Sequence, residues 1–177
     1  MYLQHMSTEL IGLRPALSGD CEQLALIRDE AWLGAYRGLI DGIELEKLIV
    51  RRSPAWWQSA IARGVKILVL EIAGEAAGYA SYGTCRIAGH RGAGEIYELY
   101  LRPSHQGLGF GRRVFEAART ELEALGLEGL AVQVLTANEP ACAFYEALGG
   151  KLSGKSEMRT EAGKLHLSIY GWPCRSS

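Results

Sequence analysis

The stretch Gln106-Gly107-Leu108-Gly109-Phe110-Gly111-Arg112-Arg113 decides how this chain is read. Upstream, Glu95 to Leu101 is β-rich and ends at Pro103. Downstream, Val114, Phe115, Ala118, Leu122 and Leu125 recur at helical spacing until Gly126. A strand therefore feeds a helix through a turn with three glycines in five positions. Glycine lets the backbone approach a ligand closely and lets successive N–H groups point one way. At a helix start those groups lack partners and the dipole is positive, so the turn suits an anion such as a pyrophosphate. The dinucleotide pattern fails because Arg112 stands where its third glycine belongs. The P-loop pattern fails because no Lys-Ser or Lys-Thr follows. Arg112 and Arg113 oppose the macrodipole unless an anion offsets them. The alternative is that both are solvated, with Arg112 pairing to Glu116 one turn on.

Working outward, Ile11 to Pro15 reads as a first strand. Asp20 with Gln23 resembles a capping box before a helix carrying Leu24, Ile27, Ala31 and Ala35 on one face. Tyr36 to Gly42 breaks that period and reads as a loop. A second helix carries Leu45, Leu48 and Ile49, and Ser53-Pro54 opens a third before Trp56 and Trp57. Lys66 to Ile72 and Ala76 to Thr84 read as antiparallel strands joined at Gly74-Glu75. After the loop Gly89 to Gly94 come the strand, turn and helix already described, a strand Leu130 to Leu135 and a helix Glu139 to Leu148 closed by Gly149-Gly150. Strands near Lys151 to Met158 and Leu165 to Trp172 finish the chain. The expected architecture is one α/β (α+β) domain over residues 9–173, with a mixed sheet of about seven strands flanked by helices. Residues 1–8 read as an unstructured terminus or cloning remnant, and 174–177 as a short tail.

Composition narrows the partners. With 177 residues the chain has room for one real core but not two. The net charge of −1, from 19 basic and 20 acidic side chains, gives no global pull towards nucleic acid or an anionic membrane. No stretch approaches the roughly 20 apolar residues that span a bilayer. Cys21, Cys85, Cys142 and Cys174 are too dispersed for a CxxC pair, as are His5, His90, His105 and His166 for zinc spacing. Reduced thiols, a cytoplasmic location and no metal are expected.

Gln106-x-x-Gly109-x-Gly111 resembles the Gln/Arg-x-x-Gly-x-Gly/Ala signature of the GCN5-related N-acetyltransferase (GNAT) superfamily. Two flanking features are similar to the same superfamily: Leu99-Tyr100-Leu101 followed by Arg102-Pro103, and the segment Asn138 to Gly150 with its Ala141, Phe144-Tyr145 and Gly149. Ala35-Tyr36-Arg37-Gly38 also looks like one branch of it. The resemblance runs from about Ile11 to Trp172. It implies a sheet split into a V between the strands near Leu99 and Leu130, and acetyl-CoA as co-substrate. Backbone groups around Leu99, Tyr100 and Leu101 would pair with the pantetheine arm. Gln106, Gly107, Leu108, Gly109, Phe110, Gly111 and Arg112 would hold the pyrophosphate. Asn138 would reach the pantetheine or thioester, and Tyr145 would face the sulfur.

The implied reaction moves an acetyl group to a primary amine by direct attack in a ternary complex. An alkyl ammonium near pKa 10.4 must first lose a proton. Glu95 is the first candidate base, because it lies eleven residues before Gln106, as the base glutamate does in the histone-modifying branch. On an ideal strand Glu95 shares a face with Tyr97 and Leu99, while Glu98 faces away; a bulge would reverse that. Glu98 and water remain alternatives. Tyr145 is the candidate acid, and Asn138 either caps its helix, contacts the ligand or does both. Trp32, Tyr36, Tyr82 and Tyr97 are candidate acceptor-pocket residues. The acceptor class stays open among small amines, amino-acid derivatives and peptide N-termini, as does homodimerisation. The competing readings are an enzyme using another phosphate ligand and a non-catalytic CoA-binding module.

Overall fold

The computed structural model describes residues 10–175. The predicted unstructured terminus at 1–8 lies outside that range. Among the described residues seven strands form one sheet in the order β1-β2-β3-β4-β5-β7-β6. They are β1 (Ile11–Pro15), β2 (Lys66–Ile72), β3 (Glu75–Thr84), β4 (Gly94–Leu101), β5 (Leu130–Leu135), β6 (Lys151–Thr160) and β7 (Gly163–Trp172). The helices are α1 (Cys21–Tyr36), α2 (Gly42–Val50), α3 (Pro54–Ala62), α4 (Phe110–Ala124) and α5 (Glu139–Ala147). The expected single α/β domain with its mixed seven-stranded sheet is what the chain forms.

Every neighbouring pair is antiparallel except β4 and β5. A parallel pair needs a crossover, and α4 supplies it. The apolar stripe of α4 (Val114, Phe115, Ala118, Leu122) packs on one face of the sheet against Leu70, Ala80, Tyr82 and Ile96. On the other face α1 and α3 bring Leu24, Ile27 and Trp57 against Ile67, Val69 and Tyr79. A third, smaller core joins Tyr36, Ile40 and Leu45 to Leu135, with Leu165 and Leu167 packed against it.

The parallel pair is short. Its register holds only Gly94 with Leu130, Glu95 with Ala131 and Ile96 with Val132. Beyond that point β4 and β5 part, so the sheet opens into a V, as the resemblance implied. Gly94 tightens the apex: a Cβ there would lie 2.9 Å from Leu122, so only glycine lets α4 settle this close. One residue past the pairing, β4 bulges. Ile96 pairs with Tyr82 and Glu98 with Ser81, which leaves Tyr97 as the extra residue.

Three local expectations change. Asp20 is not a capping residue for α1: its carboxylate accepts from Arg14 at 2.8 and 2.9 Å and from the Leu17 N–H at 2.7 Å. That charge-assisted fork holds the carboxyl of Asp20 below its usual range. Tyr36 belongs to α1, because its ring is buried in the third core and extends the helix by one residue. The hairpin of β6 and β7 runs on to Thr160 and Gly163, past the ends drawn from apolar residues, since its outer part is polar on both strands. In the tail, Arg175 is pinned to α4 by Glu116 and Glu123 at 3.0 and 2.7 Å.

Candidate active site

The glycine turn combines two kinds of glycine. Gly107 and Gly109 have φ of 74° and 83°, a left-handed conformation that side chains disfavour, and nothing lies within 4 Å of a Cβ placed on either. Their backbone therefore faces open space. Gly111 is a packing glycine: a Cβ there would stand 3.0 Å from the ring of Phe144 on α5. The side-chain amide of Gln106 donates to the Leu101 carbonyl at 3.2 Å and ties the turn back to β4. Gly109 caps α4 without a side chain, and the first helical bond runs from Arg113 N–H to its carbonyl. The N–H groups of Phe110, Gly111 and Arg112 thus have no helix partner, at the positive end of a 15-residue dipole. Leu108, Arg112 and Arg113 are exposed. Glu116 is engaged by Arg175, so the alternative pairing of Arg112 with Glu116 does not form.

The open edge of β4 leads into this turn. Arg102 N–H bonds the Ala77 carbonyl on β3. Alternation then turns Tyr100 N–H towards β3 and the N–H groups of Leu99 and Leu101 towards the gap. With β5 parted from this stretch, that edge is free to accept an added extended segment. A strand-like ligand along Leu99 and Leu101 would run directly to the open glycine turn.

The chain gathers a polar aromatic cluster at the same end of the V. Trp32 donates from its indole to the Tyr100 hydroxyl at 3.0 Å. Burial pushes the Tyr36 phenol up, while hydrogen bonding to Tyr100 and Asn138 pulls it down. Asn138 caps α5 through its Oδ1, which accepts from Ala141 N–H at 3.3 Å. Tyr145 is buried among Phe115, Phe144, Tyr170 and Trp172. Burial first, and then the nearby Tyr36, push its phenol well above the ordinary value.

The bulge puts Glu95 and Glu98 on one face of β4, where an ideal strand would separate them. Their surroundings differ. Glu95 is 5% exposed at the apex and accepts the Arg86 N–H at 2.8 Å. Glu98 sits farther along, held by Arg28 at 3.3 Å, Arg52 at 3.1 Å and the Tyr79 hydroxyl at 3.3 Å. Three donors occupy the oxygens of Glu98, which leaves it little room to take a proton from a ligand. Of the four aromatic residues read as pocket residues, Trp32 and Tyr36 join the cluster. Tyr82 lies in the core under α4, and Tyr97 stacks under Arg86 with its hydroxyl donating to the Thr84 carbonyl, both towards the closed end of the V. No group of three or more metal-ligating side chains occurs among the described residues.

A family model described as the acetyltransferase (GNAT) family matches residues 30–150. The chain belongs to that family. An uncharacterized N-acetyltransferase of Bacillus subtilis, YuaI, is 26% identical over 164 residues, covering 93% of this chain and 94% of its own. An L-methionine sulfoximine/L-methionine sulfone acetyltransferase of Pseudomonas paraeruginosa is 33% identical over 103 residues, which is 57% of this chain and 59% of that protein. The structure of YncA from Salmonella typhimurium with its cofactor acetyl-CoA shares the fold at a TM-score of 0.68 and 23% identity, covering 96% of each chain.

Within this GNAT chain, the glycine turn, β4 and α5 form where the sequence reading put them. The side chains of Arg28, Arg52 and Tyr100 were not part of that reading. The sequence reading used only the backbone of Tyr100, and the signal for its side chain was its i, i+2 spacing from Glu98. Arg28 looked like an ordinary helix residue, yet it is 4% exposed and lies 4.2 Å from the Trp32 ring centroid.

The turn makes a direct prediction. Gly109→Val forces a β-branched residue into a left-handed conformation beside the free N–H groups. CoA binding, measured by calorimetry, should fall below detection while the circular dichroism spectrum is retained. A folded Gly109→Val protein with unchanged CoA affinity would remove the turn from the site.

Proposed function

We propose that this GNAT protein transfers an acetyl group from acetyl-CoA to the primary amine of a small molecule, an amino-acid derivative being the first class to try. The observation that carries this is the continuity of the free β4 edge at Leu99 and Leu101 with the open turn at Gly107 and Gly109. An extended arm ending in a pyrophosphate has that shape. The names of the B. subtilis and P. paraeruginosa relatives support N-acetylation, and the latter supports an amino-acid acceptor. The acetyl-CoA in the YncA structure supports the donor. Acetyl-CoA supplies an activated thioester; the rest of the chemistry falls to this chain.

An alkyl ammonium at pH 7 costs about 4–5 kcal/mol to deprotonate. Glu95 is the proposed proton acceptor, working through water, because its position at the apex is some residues short of Leu99 and Leu101. The Leu99 N–H, pointing into the gap, is the proposed donor to the developing oxyanion. Tyr145 is the proposed donor to the departing sulfur. The sequence reading matched an ordinary phenol to a thiol near 8.5. Burial raises the Tyr145 phenol and spoils that match, so its hydroxyl stays protonated and acts as a hydrogen-bond donor; water then completes protonation of the sulfur.

Free thiol released from acetyl-CoA on addition of an amine and amino-acid library tests the function; failure of every amine in the library to release thiol would contradict it. Tyr145→Phe should lower kcat by about 10²-fold with CoA affinity retained. Full turnover in that variant would make the hydroxyl structural. Glu95→Gln should lose most activity at neutral pH and regain part of it as rising pH supplies free amine. An unchanged pH–rate profile would pass the proton to Glu98 or to bulk water.

A further inference from the structure

Glu44, on the first turn of α2, is a buried carboxylate that the reaction as described does not use. It is 8% exposed. Its two oxygens accept the backbone N–H groups of Glu161 at 3.0 Å and Ala162 at 3.1 Å, in the turn that joins β6 to β7. Nothing nearby in sequence shares this contact: the partners lie 117 and 118 residues away. Beside it Lys47 pairs with Glu161, both largely exposed. Asp41 holds the start of α2 by accepting from Ile43 and Glu44 N–H groups, which aims the Glu44 side chain at the hairpin.

The place of this contact gives it a consequence. α1 packs on β3 and β4, on one side of the V. From there Tyr36, Ile40 and Leu45 pack against Leu135 of β5, with Leu165 and Leu167 of β7. The segment from α1 to α2 therefore bridges the open end of the V, from the β4 side to the β5 and β7 side. The outer hairpin extends past the end of β5, since β5 stops pairing at Leu135 with Leu167 while β6 and β7 continue to Thr160 and Gly163. Glu44 fastens the far end of the bridge to the hairpin tip. Tyr36, whose phenol lies beside Tyr100 and Asn138, sits in the bridge itself.

We infer that Glu44 is a positioning residue for the amine acceptor: its carboxylate clamps the bridge and the hairpin together, and so fixes the wall of the cleft that the acceptor meets. This rests on the transferase reading given above. Two charge-assisted hydrogen bonds from a buried carboxylate are strong enough to hold a polar hairpin tip that has little apolar packing of its own. The donor side depends on β4 and α4, and the hydrogen-bond partners of Glu44 lie on neither.

The test pairs kinetics with amide exchange on the full chain. In Glu44→Ala, the amides of Glu161 and Ala162 should exchange faster. KM for the acceptor should rise about tenfold or more, with kcat changed little and CoA affinity unchanged. Glu44→Gln keeps the shape and one acceptor oxygen, and should fall between the two; it serves if the alanine variant does not fold. Lys47→Ala removes only the exposed ion pair and should behave as the unaltered protein. Turnover in the unaltered protein with unchanged acceptor KM in the Glu44 variants would overturn this inference alone, as would unchanged exchange at Glu161 and Ala162. Absence of amine-dependent turnover in the unaltered protein would overturn the transferase reading and this inference with it.

Discussion

The parting of β4 from β5 after three register pairs is the constraint on which the rest of the molecule depends. Backbone N–H and C=O groups seldom stay unpaired inside a fold. Here the β4 edge at Leu99 and Leu101 has no strand beside it in the middle of a seven-stranded sheet. The fold keeps the strands apart with residues on either side: α5 brings Phe144 against Gly111, and the third core places Tyr36 and Leu135 at the open end. The bulge at Tyr97 comes just past the last paired residues and resets which side chains face the helices. Loss of the split would pair the edge and close the ligand path in one step.

The free edge, the turn and the helix start act in sequence along one line. β4 offers N–H groups sideways at Leu99 and Leu101, Gln106 holds the turn against the strand end, and α4 offers N–H groups end-on. None of these groups carries formal charge, so the site as proposed would draw an anion through dipoles while the whole chain stays near neutrality. Arg112 and Arg113 add exposed positive charge beside it without a carboxylate partner among the described residues. On the other flank two cations, Arg28 and Arg52, close on the single carboxylate of Glu98.

Much of this was readable from sequence where the cause is local. The turn at Gln106 to Gly111, the helix stops at glycine and the strand pattern of β2 through β5 rest on neighbours in the chain, and their bounds fall within a few residues of those expected. The rest depends on distant contacts. Gly111 reads like its two neighbours, but its reason is Phe144, thirty-three residues later. Glu95 and Glu98 were assigned to opposite faces because a bulge has no composition signal, and its effect is to invert side-chain parity. Asp20 offers a good capping pattern and is taken by Arg14 instead. Trp32, Tyr36, Tyr82 and Tyr97 are alike in type, yet the V gathers the first two and leaves the others towards its closed end. The grip of Glu44 on the hairpin turn is invisible to any window of sequence.

The central claim is that the split exposes a strand edge for the acyl carrier. Amide hydrogen exchange of the unaltered protein, with and without CoA and resolved by residue, addresses it most directly. CoA should slow exchange at Leu99 and Leu101 together with Phe110 and Gly111, and should leave Tyr100, whose N–H faces β3, as it was. Protection of the turn at Phe110 and Gly111 with no change at Leu99 and Leu101 would contradict the account.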